Sequence, residues 1–162
     1  KIIFFNQKLF YYKFDLHLPS VNWFGSRAIK FKNLKTISQL RNAKPKKYNW
    51  WRIDILFSNL KYKNIKILSE GGWHFSDLKS VEEIYKKKQN DEHHDEFQDM
   101  NIKLVEINDM VKNKYITYNH LADKKDIKKR WSNKIKLKNI ELSNLPKYLQ
   151  ENKSKYFKWF DK

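Results

Sequence analysis

Asn64-Ile65-Lys66-Ile67-Leu68-Ser69-Glu70-Gly71-Gly72-Trp73-His74-Phe75-Ser76 sets the pattern for the whole chain. Apolar residues alternate from Asn64 to Leu68, which predicts a strand, and the strand delivers the chain to a paired-glycine turn. Gly71 and Gly72 are two of only three glycines in 162 residues. Paired glycines allow positive φ and close approach of a neighbouring group, so the turn reads as a built site. Beyond it Trp73 to Ser76 is strand-like, with Trp73 and Phe75 facing one way and His74 and Ser76 the other. An indole beside a glycine turn is a platform for the apolar face of a sugar ring, and an imidazole can accept a hydroxyl proton near neutral pH. The plainer alternative is a turn whose Trp fills the core and whose His caps backbone groups.

Outward from this stretch, residues 8 to 16 are aromatic and β-prone, predicting a strand closed by Leu18-Pro19-Ser20, and a second short strand fits Ser26 to Phe31. Leu34, Ile37 and Leu40 repeat at helical spacing between Asn33 and Arg41, before Pro45. Tyr48 to Leu60 is dense in Trp50, Trp51, Ile53, Ile55, Leu56 and Phe57 and fits a buried helix or a strand equally. Its aromatic-basic run could stack on nucleobases, but core packing explains it better. Ser80 and Glu83 match a capping box opening a helix to about Gln89. A second helix is expected over Ile102 to Lys112, with Leu104, Val105, Ile107 and Val111 apolar. Lys124 to Lys138 is basic and weakly patterned, and Leu145-Pro146 precedes a last helix carrying Tyr148, Leu149, Tyr156, Phe157 and Phe160. These elements predict one mixed α/β domain over residues 1–162, with a mixed sheet flanked by helices and a basic helical tail over 122–162.

Hydrophobic residues make up 40% and aromatics 16%, enough for a packed core despite 33% charge. With no cysteine, disulfides and thiolate metal sites are excluded, which fits a reducing, cytoplasmic compartment. No apolar run approaches the roughly 20 residues of a membrane helix. The formal charge of +17 invites an anionic partner, yet only Arg27, Arg41, Arg52 and Arg130 are arginines. Base readout favours arginine, so no specific nucleic acid is expected, and A+T-rich coding accounts for lysine travelling with Asn, Ile, Tyr and Phe. The run Asn90-Asp91-Glu92-His93-His94-Asp95-Glu96 mixes carboxylates with imidazoles that can hold a borderline metal or supply a base, against the alternative of a solvated loop. His17 and His120 read as structural. Zinc-finger, phosphate-loop and nucleophile-elbow spacings are absent.

In order along the chain stand the aromatic strand Leu9-Phe10-Tyr11-Tyr12-Lys13-Phe14-Asp15, the turn Trp23-Phe24-Gly25-Ser26-Arg27, the pair Leu40-Arg41, the hexapeptide Gly71-Gly72-Trp73-His74-Phe75-Ser76, and His94-Asp95-Glu96-Phe97. This series resembles the β-1,4-N-acetylglucosaminyltransferase family that includes the enzyme adding bisecting N-acetylglucosamine to N-glycans. The resemblance spans Leu9 to Leu121, and more loosely Leu145-Pro146-Lys147-Tyr148. It implies a GT-A-like fold and an inverting transfer from a UDP-sugar donor to a hydroxyl of a glycan acceptor, with Mn²⁺ or Mg²⁺ as cofactor. By resemblance His74 and Glu96 are the catalytic candidates, and Gly71, Gly72, Trp73, Ser76 and Trp23 the substrate-binding ones. The resemblance also implies Arg41 or Arg27 as the cation facing the diphosphate, and His94 as orienting Glu96 or completing the metal's coordination. The family's Asp-x-Asp motif has no counterpart here and is expected before Lys1, the chain reading as the carboxy-terminal portion of a longer, N-terminally truncated domain. Asp77 stands where the family has an aromatic, so it is a poor catalytic base. The resemblance implies the cytoplasm, at a membrane surface, for a bacterial or viral relative and the Golgi lumen for a eukaryotic one. The alternative is a basic nucleic-acid-binding module without enzymatic activity.

Overall fold

A computed structural model describes residues 1–49, 51–123 and 125–161. In chain order the elements are β1 (Ile2–Phe5), β2 (Lys8–Tyr11), β3 (Leu16–His17), β4 (Arg27–Ile29), α1 (Ile37–Asn42), β5 (Ile65–Leu68) and β6 (Trp73–Ser76). There follow α2 (Val81–Lys88), α3 (His94–Asp99), α4 (Leu104–Lys112), β7 (Tyr115–Ile116), α5 (Ile127–Trp131), β8 (Ile135–Lys136), β9 (Lys138–Asn139) and α6 (Lys147–Glu151). The fold is mixed α/β. Two compact units divide the chain: Lys1–Lys8 with Asn22–His74, and Leu9–Val21 with Phe75–Lys162.

In the first unit β1 is the central strand, antiparallel to β4 and parallel to β5, with Ile2 opposite both Ile29 and Ile65. Ile2 and Phe4 point into the core with Ala43 and Ile65, while Ile3 and Phe5 are half-buried. This is the period-2 alternation of a sheet with one covered face. The second predicted strand shortens to β4 because Phe31–Asn33 forms a 3-10 turn. The predicted helix begins later than Asn33, at the cap where the Thr36 hydroxyl accepts the Gln39 N–H at 3.0 Å. Its expected stripe fails at Ile37, which is exposed.

Residues 48–60 correct the expectation of a buried element. They form no strand or α-helix among the described residues, only a 3-10 turn at Ile53–Ile55, and Ile55 alone is buried. Trp51, Ile53, Leu56 and Phe57 are exposed. Trp51, Ile53, Ile55 and Phe57 alternate with Arg52, Asp54 and Leu56 as a strand would, but the segment pairs with no other strand, and the 3-10 turn leaves Ile55 as its one inward side chain among the described residues. Trp50 lies outside the described residues.

The second unit opens on the aromatic segment, which is a bend rather than one strand from Lys8 to Leu16. Tyr12 takes φ 65°, the Lys13 N–H turns back to the Tyr11 carbonyl at 2.7 Å, and β3 returns with His17 opposite Phe10. The bend frees Phe14 to pack edge-on against Phe75 and at a tilt against Phe160. Phe10, Leu145, Leu149 and Phe160 form the core there. The capping box is present: the Ser80 hydroxyl accepts the Glu83 N–H and the Glu83 carboxylate accepts the Ser80 N–H. In α4 the buried pair is Ile107 and Met110, and Leu104 and Val105 are exposed. Val105 sits about 200° around the helix from Ile107, so the two cannot share a buried face. The tail is less helical than its lysine-rich sequence suggests, since β8 and β9 interrupt it and Ile140 donates its N–H to the Asp15 carbonyl at 3.0 Å. Lys124 lies outside the described residues.

The chain passes between the units three times, after Lys8, Val21 and His74. Neither unit is therefore a continuous stretch, and β2 and β6 each have residues in both. Chemical denaturation is expected to give one transition, coincident by far-UV circular dichroism and tryptophan fluorescence; two separated transitions would show that the units unfold independently.

Candidate functional site

The glycine turn lies in the first unit. The Gly71 N–H donates to the Asn6 carbonyl at 2.8 Å, and the Lys8 N–H donates to the Gly72 carbonyl at 2.9 Å. A Cβ at Gly71 would lie 2.7 Å from Asn6 N and from Phe5 C and Cα, and Gly72 holds φ 114°. One glycine thus admits the chain's own backbone and the other supplies the left-handed bend. Gly25 belongs to the same corner, because a Cβ there would fall 2.5 Å from Trp23 Nε1. Trp23 is fixed by the Gln7 N–H, which donates to its carbonyl at 2.8 Å, and its indole lies against the His74 imidazole with ring centroids 4.9 Å apart and planes 33° from parallel. Trp73 remains 39% exposed, so it does not fill the core.

Arg27 and Arg41 belong to the same unit. Arg27 donates Nη1–H to the Leu40 carbonyl at 3.0 Å and spreads over the Phe4 ring at 5.5 Å. Burial, then the nearby Arg41 charge, pull the Arg27 guanidinium below its ordinary value. Neither arginine forms an ion pair among the described residues. Together they add positive potential to this part of the first unit.

Ser76, His94 and Glu96 lie in the second unit. Ser76 accepts the Tyr12 N–H on its carbonyl at 3.1 Å, and its hydroxyl bonds to Tyr11. His94 is turned back on its own segment, with Nδ1 3.1 Å from the Asp91 carbonyl and Nε2 3.0 Å from the Asp95 carboxylate. The expected loop is therefore half helix, because α3 begins at His94. No group of three or more His, Cys, Asp or Glu side chains among the described residues is arranged to hold a metal ion. His94, the residue that the resemblance offers to Mn²⁺ or Mg²⁺, has both ring nitrogens engaged within its own segment.

Glu96 is the hub of an assembly that sequence reading missed. Arg130 donates Nη1–H to Glu96 Oε1 at 2.6 Å, and the Trp131 indole donates to Oε2 at 2.7 Å. The buried Arg130 guanidinium also bonds to the Tyr118 hydroxyl and lies 5.0 Å from that ring. Tyr118 stands edge-on to His120 at 4.8 Å, and His120 Nε2 is 2.7 Å from the Tyr11 hydroxyl. Burial alone would push the Glu96 carboxyl up, but the Trp131 hydrogen bond and the Arg130 and His93 charges outweigh it and hold it below the usual range. Such a carboxylate is a weak proton acceptor, and its geometry makes it the anchor of Arg130. The available signal was Arg130 itself, an arginine in a lysine-rich segment, since a planar fork suits a fixed carboxylate better than an ammonium does.

No protein-family profile, curated protein or solved structure matches this chain.

Gly71→Ala is expected to cost about 2–3 kcal/mol, because backbone on both sides of the new methyl must move; urea midpoints measure this. Glu96→Gln leaves Arg130 buried without its counter-charge and is expected to cost about 3 kcal/mol at pH 7. With its folded value depressed, the Glu96 carboxylate contributes fully above its unfolded value of about 4.3 and loses that contribution as pH falls through the folded value. The gap in stability between wild type and Glu96→Gln should therefore narrow below about pH 4, as read by denaturation at a series of pH values.

Proposed function

We propose that the chain carries the acceptor side of a GT-A-like inverting glycosyltransferase that moves N-acetylglucosamine or a related sugar from a UDP-sugar to a glycan hydroxyl. The observation that carries the reading is the His74 imidazole lying on the Trp23 indole at a glycine-fixed turn, with the preceding residue of the same strand, Trp73, keeping its indole 39% exposed. Trp73 supplies the stacking face for the acceptor sugar. His74 accepts the proton of the acceptor hydroxyl as its oxygen attacks the anomeric carbon, and the bond from that carbon to the diphosphate oxygen breaks with UDP leaving. Arg27 and Arg41 supply positive charge for the departing diphosphate. Glu96, held by Arg130 and Trp131, serves as an anchor within the second unit rather than as the base.

The concentration of charge in the first unit favours a second reading, a basic nucleic-acid-binding module. The two readings separate in one set of measurements. UDP release from UDP-N-acetylglucosamine in the presence of a glycan acceptor should fall about 100-fold or more in His74→Ala. Trp73→Ala should raise the acceptor KM more than it lowers kcat, with Trp73→Phe largely restoring it. Absence of turnover together with salt-sensitive binding to random oligonucleotides would overturn the transferase reading.

A further inference from the structure

The positive charge is not spread evenly. The first unit holds fourteen lysines and arginines against two acids, Asp54 and Glu70, a formal charge of +12 out of the chain's +17. One of its two acids is already neutralised within its own loop. Asp54 accepts Arg52 Nε–H and Nη2–H at 2.8 and 2.7 Å and Lys61 Nζ–H at 2.6 Å.

That loop also exposes the unit's largest cluster of apolar side chains. The Lys44 N–H donates to the Leu60 carbonyl at 2.8 Å, joining the loop's ends, and Ile55 is its buried anchor. Between them Trp51, Ile53, Leu56 and Phe57 are 62%, 68%, 69% and 86% exposed. In a 3-10 turn residues three apart eclipse, so Ile53 and Leu56 stand together while Ile55 turns inward. Lys44, Lys46, Lys47 and Lys63 flank this ridge in sequence. A second amphipathic feature lies in the same unit, a shallow groove of 530 Å³ floored by Ile3, Ala28 and Ile29 and rimmed by Lys1, Lys30 and Lys32.

We propose that the first unit docks on the surface of anionic lipid bilayers, inserting the Trp51–Phe57 ridge among the acyl chains while the surrounding lysines meet the headgroups. Charge complementarity and side-chain chemistry both select this partner. Lysines near an anionic leaflet each add about fivefold to binding, and apolar tips that reach the acyl boundary add the rest. Aliphatic Ile53 and Leu56 cannot stack on bases, which argues against single-stranded nucleic acid as the occupant of the same ridge. No helix among the described residues is long and apolar enough to cross a membrane. The inference is independent of the transferase reading.

Flotation of the full chain with vesicles tests it. Binding is expected to phosphatidylcholine vesicles containing phosphatidylserine and not to phosphatidylcholine alone, and to weaken as salt rises. Leu56→Ser with Phe57→Ser, both exposed and so compatible with folding by circular dichroism, should weaken binding at least about tenfold. Lys46→Ser with Lys47→Ser should weaken it more than tenfold, and lipid-borne nitroxide should quench tryptophan fluorescence in wild type only. Equal binding to both vesicles, or unaltered binding of the Leu56→Ser, Phe57→Ser protein, would overturn the proposal. So would failure to float combined with oligonucleotide binding through the same residues, or with self-association in sedimentation equilibrium that those substitutions abolish.

Discussion

The contact on which the candidate site depends is the approach of the Gly71 backbone to Phe5 and Asn6 at the end of β1. No other residue fits there, because any Cβ would meet backbone atoms on two consecutive residues. The Gly71 and Lys8 hydrogen bonds lock the turn to the chain that follows β1, and Gly72 supplies the bend that aims Trp73 outward. Gly25 opens room over Trp23 in the same way, so the three glycines of the chain all serve one corner. Glycine carries an entropic cost of up to about 1 kcal/mol in ordered structure, and here it is confined to places where nothing else fits.

Arginine is used with similar economy. Arg130 forks onto Glu96 and Tyr118, Arg52 grips Asp54 through two nitrogens, and Arg27 combines a carbonyl contact with an aromatic face. Lysine supplies the bulk of the charge, and several lysines lie over aromatic rings, as Lys61 does over Tyr48 and Lys134 over Tyr115. A short flexible ammonium can be placed anywhere on a surface, whereas a guanidinium is worth having where two acceptors are fixed.

Local rules were legible in the sequence wherever the determining residues were adjacent. The Asn64–Leu68 strand, the glycine turn and the Ser80 capping box follow from side-chain alternation, φ requirements and a three-residue spacing. Tyr12 was not legible, since nothing in Leu9-Phe10-Tyr11-Tyr12-Lys13-Phe14 marks a left-handed residue, and the bend depends on Phe14 reaching Phe160, far away in sequence. The Glu96 assembly was hidden for the same reason, with partners 34 and 35 residues downstream in a segment of weak periodicity. The exposed 51–57 ridge misled in the opposite direction, because aromatic density alone does not distinguish a core from a surface.

The interleaved path of the chain has a consequence during synthesis. Residues 9–21 leave the ribosome well before the groups that cover Phe10 and Phe14, among them Leu145, Leu149 and Phe160, have been made. At about 5–20 residues per second, the aromatic hairpin waits roughly seven to thirty seconds without its cover. During that interval the first unit can close, since its final residue is His74. Translation speed and chaperone access between residues 21 and 160 thus bear on how long Phe10 and Phe14 stay uncovered.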